Sequence, residues 1–364
     1  MLIDIIAGAR PNFMKIAPII KNIQQAQKKG FDIRYRLIHT GQHYDKNMSG
    51  NFFEELDIPE PDINLEAGGG TQAEQTAAIM VRYEKVLMEN KPDLVLVVGD
   101  VTSTMACAIT AKKMNNIRVA HVEAGIRSGD LTMPEEINRM VTDCITDYFF
   151  TTSETANENL RNAGIKNENI FFVGNTMIDT LYKQMPKFKQ PEIWRTASLE
   201  EKNYLVLTLH RPANVDDAEN LKLLIETIIE NSRNIPVIFP VHPRTNKLLQ
   251  QIGLNAKNLY LTEPLSYLEF NYLVKHSKAV ITDSGGITEE TTVMNIPCVT
   301  LRNTTERPET CTIGTNELIG TDAAAIKPVL NKLFEGKWKH GKIPPLWDGK
   351  TAERIVDILL NKIF

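Results

Sequence analysis

The chain has 364 residues, with 41 Lys and Arg against 45 Asp and Glu, a formal net charge of −4, and 42% hydrophobic and 24% charged residues. That length suits two domains of roughly 150 residues or more, each with a full core, and the composition excludes a disordered chain or a small disulfide scaffold. The slight acidity offers no basic field for nucleic acid or an anionic membrane, and no apolar run approaches the ~20 residues of a membrane span, so neither partner is expected.

The N-terminal stretch MLIDIIAGAR has no basic segment before its few apolar residues and runs directly into Gly8 and Arg10; it reads as a first buried strand, not a signal peptide. Further β-rich runs follow at 33–38, 94–98, 119–122 and 148–152, then at 204–209, 236–241, 279–282 and 297–301, with helical patterns between most of them. Several are apolar at consecutive positions, as strands covered on both faces are, so the expected class is α/β with parallel sheets. A charged, proline-bearing stretch at 184–202 breaks the alternation and is taken as the junction between a domain over 1–183 and one over 203–350, with an apolar-faced helix at 351–364. Cys107, Cys144, Cys298 and Cys311 are widely spaced and lack CxxC pairing, which predicts free thiols and a cytoplasmic location.

Chemistry-bearing residues collect just beyond strand ends, where a parallel sheet places ligands. The first strand ends in Gly8-Ala9-Arg10-Pro11, with Lys15 one turn into the next helix. This spacing fits neither GxGxxG nor GxxxxGK[ST], and leaves either a plain turn with two solvated cations or an anion site. LVLVV ends in Gly99-Asp100 and RVAHV ends in Glu123, so two carboxylates emerge from adjacent tips, although Asp100 could instead cap the following helix. In MPEEINR, Pro134 suits a first helical position, and Glu135 and Arg139 share a face at i and i+4, as a surface ion pair or as part of a site.

In the second half, His210-Arg211 and His242-Pro243-Arg244 close two strands and suggest a cationic rim. DSGGITEE at 283–290 places Ser284, Gly285 and Gly286 between a strand and a helix, small residues that let backbone N–H groups approach a phosphate. Glu289 and Glu290 either complement the helix dipole in its first turn or, from a second turn, bind ribose hydroxyls. His121-x-Glu123 has no third ligand at metal spacing and no GxSxG elbow is present, so the expectation is chemistry without a metal or a nucleophilic serine.

Read in series, GARPNFMK (8–15), HTGQHYD (39–45), GDVTST (99–104), HVEAGIRSGD (121–130), MPEEINR (133–139), GNTMID (174–179), HRPANVD (210–216), HPR (242–244), DSGGITEE (283–290) and RNTTERPE (302–309) closely resemble the non-hydrolysing UDP-N-acetylglucosamine 2-epimerases, in order and over nearly the whole chain. The resemblance implies a GT-B fold: two Rossmann-like domains with parallel sheets facing a central cleft, and a C-terminal helix crossing back to the first. It implies a homodimer and reversible conversion of UDP-GlcNAc to UDP-ManNAc for surface polysaccharide, with no cofactor, neither NAD nor metal. The family's route eliminates UDP across C1–C2 to give 2-acetamidoglucal, then re-adds it with the proton on the other face.

Carried over motif by motif, the resemblance implies that Arg10, His210, Ser284, Gly285, Gly286 and Glu290 hold UDP, with Glu290 on the ribose, while Lys15, Asp100, Glu123, Glu135 and Arg139 surround the sugar. Asp100, Glu123, Glu135 and His210 form the expected catalytic set, and His242 and Arg244 belong to the substrate-binding rim. The loop Ser128-Gly129-Asp130-Leu131-Thr132-Met133 is compact, as in relatives acting on UDP-2,3-diacetamido uronates or 6-deoxy-hexosamines, which keeps such a sugar as the alternative substrate. Behind these stand a hydrolysing epimerase, a GT-B glycosyltransferase and a UDP-sugar sensor. Gln42 is present, but Ala67-Gly68-Gly69-Gly70-Thr71-Gln72 lacks the arginine of members activated by UDP-GlcNAc, so allosteric activation is expected to be weak or absent.

Overall fold

The computed structural model describes residues 1–41, 57–241, 248–249, 253–254 and 256–363. It divides into two compact units, Met1–Lys183 with Pro345–Phe364, and Gln184–Pro344.

In the first unit seven strands form one parallel sheet: β1 (Leu2–Ala7), β2 (Arg34–His39), β3 (Ile63–Asn64), β4 (Leu94–Val98), β5 (Arg118–Ala124), β6 (Tyr148–Thr151) and β7 (Ile170–Phe172). Their order is β3-β2-β1-β4-β5-β6-β7. All five residues of β4 are buried, since helices cover both faces of the central strands. One cover is the helix Gln72–Glu89, whose Ile79, Tyr83 and Leu87, one turn apart, join Val95 and Val97 in a core cluster. Each such aliphatic side chain contributes about 1.5–3 kcal/mol on burial. The helix is started by a capping box, in which Thr71 Oγ1 accepts from Glu74 N (3.2 Å) and Glu74 Oε2 accepts from Thr71 N (2.8 Å).

The C-terminal segment belongs to this unit. Trp347 is fully buried and donates from Nε1 to Thr152 O (3.0 Å), while Asp179 accepts from the N–H groups of Thr351 (3.1 Å) and Ala352 (2.7 Å) at the start of the helix Thr351–Ile358.

The second unit carries six parallel strands, β8 (Leu205–Thr208), β9 (Val237–Pro240), β10 (Leu259–Thr262), β11 (Ala279–Thr282), β12 (Cys298–Thr300) and β13 (Asn316–Leu318), in the order β10-β9-β8-β11-β12-β13. Its chain begins earlier than position 203 because Trp194 stacks edge-on against Tyr204 (5.6 Å) and Tyr272 (5.4 Å), and Ala197 and Leu199 enter the core with Val206 and Val280. The unit ends at Pro344 rather than 350, because Trp347 is buried in the first unit and bonded to Thr152.

Both sheets reverse their direction of growth once, between β1 and β4 and between β8 and β11. Such a switch point leaves a crevice at the carboxyl ends of the two strands, where open α/β sheets bind their ligands.

Candidate active site

At the first switch point Asn12 ties the ends of β1 and β4 together. Its Oδ1 accepts from Gly8 N (3.1 Å) and Ala9 N (2.9 Å), and its Nδ2 donates to Val98 O (3.1 Å). Lys15, one turn further along the helix Arg10–Lys28, is buried and donates to Glu123 Oε1 at 2.7 Å. Glu123 sits at φ +73°, where β5 shifts register against β6 between Val122 and Ala124. A non-glycine residue held there carries about 1–3 kcal/mol of strain, a feature that clusters at functional sites. Gly99 (φ +68°) closes against the same pair; a Cβ there would lie 3.2 Å from Lys15 Nζ and 3.6 Å from Glu123 Oε1.

Beneath these tips His121 is fully buried, with Nδ1 2.8 Å from Asp143 Oδ1 and Nε2 2.8 Å from Gly99 O. Asp143 also accepts from Gly125 N (3.1 Å) and faces Arg127 Nη1 (2.7 Å). Burial pushes its carboxyl up, but His121 and Arg127 outweigh that and hold it below the usual carboxylate range. The network clamps residues 99 and 125 around the two strand ends.

Asp100 pairs through Oδ2 with Arg139, which pairs in turn with Glu136, and Asn138 donates to Asp100 O (2.9 Å). Glu136 also accepts from Ser128 N and Gly129 N, both at 3.0 Å, fastening the loop to the start of the helix Pro134–Ile145. Burial raises the Glu136 carboxyl, yet those N–H groups and Arg139 bring it net below its ordinary value.

Two sequence readings are corrected here. Asp100 does not cap the next helix, because the N-cap is Val101, one residue later. Arg139 does not pair with Glu135: Glu136, three residues before it, is buried and fastened to Ser128 and Gly129, whereas Glu135 lies one helical step round and is partly exposed. Arg10 opens its helix in an exposed position.

At the second switch point the fully buried Asp283 collects His210 Nδ1 (2.7 Å), His210 N (3.0 Å), Arg211 N (2.9 Å) and Asn214 Nδ2 (3.0 Å). Burial raises Asp283, but His210 and these donors hold it below the usual range. The His210 side chain is 61% exposed, so its second ring nitrogen is open to a ligand. It borders a cavity of about 890 Å³, lined also by Pro212, Val215, Leu265 and Phe270.

β11 leads through Ser284 into the helix Gly285–Val293, and the Ser284 hydroxyl makes no cap bond. The first turn contains no acid, which corrects the dipole reading of Glu289 and Glu290: the helix starts at Gly285, so both stand in its second turn. Glu290 is buried, accepts from the Tyr267 hydroxyl (2.7 Å), and is raised to about 7 by burial and by Glu289. His242, Arg244 and Gln42 lie outside the described residues.

Sequence reasoning passed over Asn12, Asp143, Asn138 and Tyr267. An asparagine or aspartate inside a helix has no spacing signature, and its partner is set by which strand lies alongside. Among the described residues, no group of three or more His, Cys, Asp or Glu side chains could hold a metal ion, and no helix is long and apolar enough to cross a membrane.

The profile of a family described as UDP-N-acetylglucosamine 2-epimerase matches residues 24–360. A UDP-N-acetylglucosamine 2-epimerase of Methanocaldococcus jannaschii is 42% identical over 373 residues, covering 99% of each chain. A UDP-2,3-diacetamido-2,3-dideoxy-D-glucuronate 2-epimerase of Pseudomonas aeruginosa is 38% identical over 323 residues, with 88% of each chain covered. The crystal structure of a Methanocaldococcus jannaschii UDP-GlcNAc 2-epimerase in complex with UDP-GlcNAc and UDP superimposes with a TM-score of 0.86 at 42% identity, over 99% of each chain. At 15% identity and a TM-score of 0.57 over both full chains, a lipopolysaccharide outer core galactosyltransferase shares the fold alone, that of the GT-B class.

Proposed function

The chain belongs to the UDP-N-acetylglucosamine 2-epimerase family, and from that premise we propose that it interconverts UDP-GlcNAc and UDP-ManNAc by inverting C2 of the sugar. The observation that carries this reading is the pair of carboxylates at neighbouring strand ends, Asp100 and Glu123, each held by its own cation, Arg139 and Lys15. Relatives with the UDP-GlcNAc name match 99% of the chain, whereas the diacetamido-uronate enzyme matches 88% at lower identity, and UDP-GlcNAc is therefore the substrate adopted.

The C2 hydrogen is not next to a carbonyl, so its removal cannot give an ordinary enolate. Elimination avoids this difficulty. A carboxylate takes the C2 proton, the C–H pair forms the C1–C2 double bond, and the C1–O bond breaks with its electrons leaving on UDP. The neutral 2-acetamidoglucal then accepts the diphosphate oxygen at C1 while C2 is protonated on the opposite face. This needs positioned acid–base groups and strong stabilisation of departing UDP. Asp100 and Glu123, with Glu135 in the first turn of the helix Pro134–Ile145, supply the proton-transfer groups. Arg139 and Lys15 fix the first two in place.

UDP is assigned to the second unit. The N–H groups of Gly285 and Gly286 begin an uncapped helix suited to a diphosphate, with the Ser284 hydroxyl beside them, and Glu290 in the second turn is assigned to the ribose. The cavity beside His210 offers Phe270 and aliphatic walls for a base. His210, held through Nδ1 by Asp283, keeps Nε2 for the diphosphate.

The protein is further assigned to the cytoplasm, in keeping with free cysteines of which Cys107 and Cys298 are buried. It is assigned as a homodimer, in keeping with exposed apolar side chains on two helices of the first unit, Val81 and Met88 seven apart, Ile137 and Met140 three apart. Proton NMR of UDP-GlcNAc incubated with the protein tests the activity: a second UDP-linked anomeric signal growing to a constant ratio supports it. Free N-acetylmannosamine with stoichiometric UDP would replace it with a hydrolase.

A further inference from the structure

The motif RNTTERPE at 302–309 follows β12 in the second unit. Its first residue follows β12, the strand beside β11, and emerges at the same carboxyl edge as Ser284: Leu301 N donates to Thr282 O (2.8 Å), and Arg302 O accepts from Gly320 N (3.0 Å). Arg302 is only 6% exposed. Its Nη2 donates to Glu306 Oε2 at 2.8 Å, while Nη1 is buried without a hydrogen-bond partner among the described residues.

Leaving a buried guanidinium N–H unpaired is costly, so its persistence calls for an occupant that arrives later. The direction of Nη1 identifies that occupant. A Cβ built on Gly285 would stand 3.6 Å from Nη1 and 2.6 Å from Glu306 Oε1, so the Arg302–Glu306 pair rests against the first residue of the Gly285–Val293 helix. Glu306 pairs with one arm of the guanidinium fork through Nη2, and the other arm, Nη1, lies beside the uncapped turn.

We propose that Arg302 is a substrate-binding residue whose Nη1 donates to a diphosphate oxygen seated on Ser284–Gly286. This rests on the assignment of that turn to the diphosphate. It also gives Arg302 a part in the reaction, because the diphosphate is the leaving group. A fixed guanidinium donor there stabilises charge that grows as C1–O breaks, so its removal lowers kcat as well as raising KM.

The test is calorimetric binding of UDP, with uridine binding by ligand-observed NMR, to the full-length wild type, Arg302→Gln and Arg302→Lys. Arg302→Gln is expected to weaken UDP about 10- to 100-fold and leave uridine unchanged, the range for one charge-assisted hydrogen bond. Unchanged UDP affinity in Arg302→Gln overturns the proposal. Should that variant lose uridine too through misfolding, Arg302→Lys decides, because it keeps a cation for Glu306 but not the fork: selective loss of UDP supports the proposal and parallel affinities overturn it. Gly285→Val separates the two layers. If it abolishes UDP binding while the Arg302 variants do not, the inference alone fails; if neither position matters, the diphosphate assignment fails with it.

Discussion

Replacing Asp100 by Asn separates a carboxylate that moves a proton from one that only holds an arginine. Asn keeps an oxygen facing Arg139 and the backbone carbonyl that accepts from Asn138. Arg139 stays buried but retains Glu136 as its counter-charge. The loss to stability is thus the charged part of one hydrogen bond, about 1–2 kcal/mol, which for a unit of this size lowers Tm by roughly 2–8 °C. Removing a positioned acid–base group costs ~10²- to 10⁴-fold in kcat, about 3–5 kcal/mol of barrier, so the catalytic loss exceeds the structural one. Steady-state rates and calorimetric melting on the same preparation give both numbers, with Glu136→Gln as the contrasting variant. Glu136 is bound by two backbone N–H groups and Arg139, so that variant melts lower than Asp100→Asn and loses less kcat. Among Asp100→Asn, Glu123→Gln and Glu135→Gln, at least one releases 2-acetamidoglucal with UDP, because elimination proceeds and re-addition fails. Near-wild-type turnover in Asp100→Asn with a lowered Tm would reduce Asp100 to a partner of Arg139 and remove it from the chemistry.

Burial raises Asp179 to about 6 in the fold, above its unfolded value near 4, so the folded state holds that proton more tightly. The resulting contribution, about 3 kcal/mol at most, is full below about pH 4 and lost as pH rises through about 6. The Tm of Asp179→Asn relative to wild type therefore climbs between pH 5 and pH 8; a constant difference would contradict this. EDTA leaves the rate unchanged, and loss of activity restored by Mg²⁺ or Mn²⁺ would count against the metal-free reading. Initial rates follow a hyperbola in UDP-GlcNAc concentration, because Ala67–Gln72 lacks the arginine of activated relatives; a sigmoid curve would refute that.

Most inner strands were readable because they hold several apolar residues in succession and are buried on both faces, as β1 and β4 are. The strands that escaped sequence reading, β3, β7, β10 and β13, are the outer strands of their sheets. They are two to four residues long and only partly buried, so neither a continuous nor an alternating apolar run marks them. The site follows the same logic. Lys15, Asp100, Glu123, Ser284 and Glu290 announce themselves at strand ends or in a strand–loop–helix segment. The supporting contacts are invisible along the chain, because His121–Asp143 spans 22 residues and Arg139–Asp100 spans 39. The choice between Glu135 and Glu136 as the partner of Arg139 turned on which way a single helical step faced. Both spacings, three and four, are permitted on a helix surface, and the contacts of the buried side with Ser128 and Gly129 decide.

The claim that C2 loses and regains its proton is tested most directly by running the reaction on UDP-GlcNAc in D₂O and following C2 by NMR. UDP-ManNAc deuterated at C2 is expected, with deuterium appearing in recovered UDP-GlcNAc as the mixture approaches equilibrium. UDP-ManNAc that keeps its original C2 hydrogen, or no exchange in either sugar nucleotide, would contradict it.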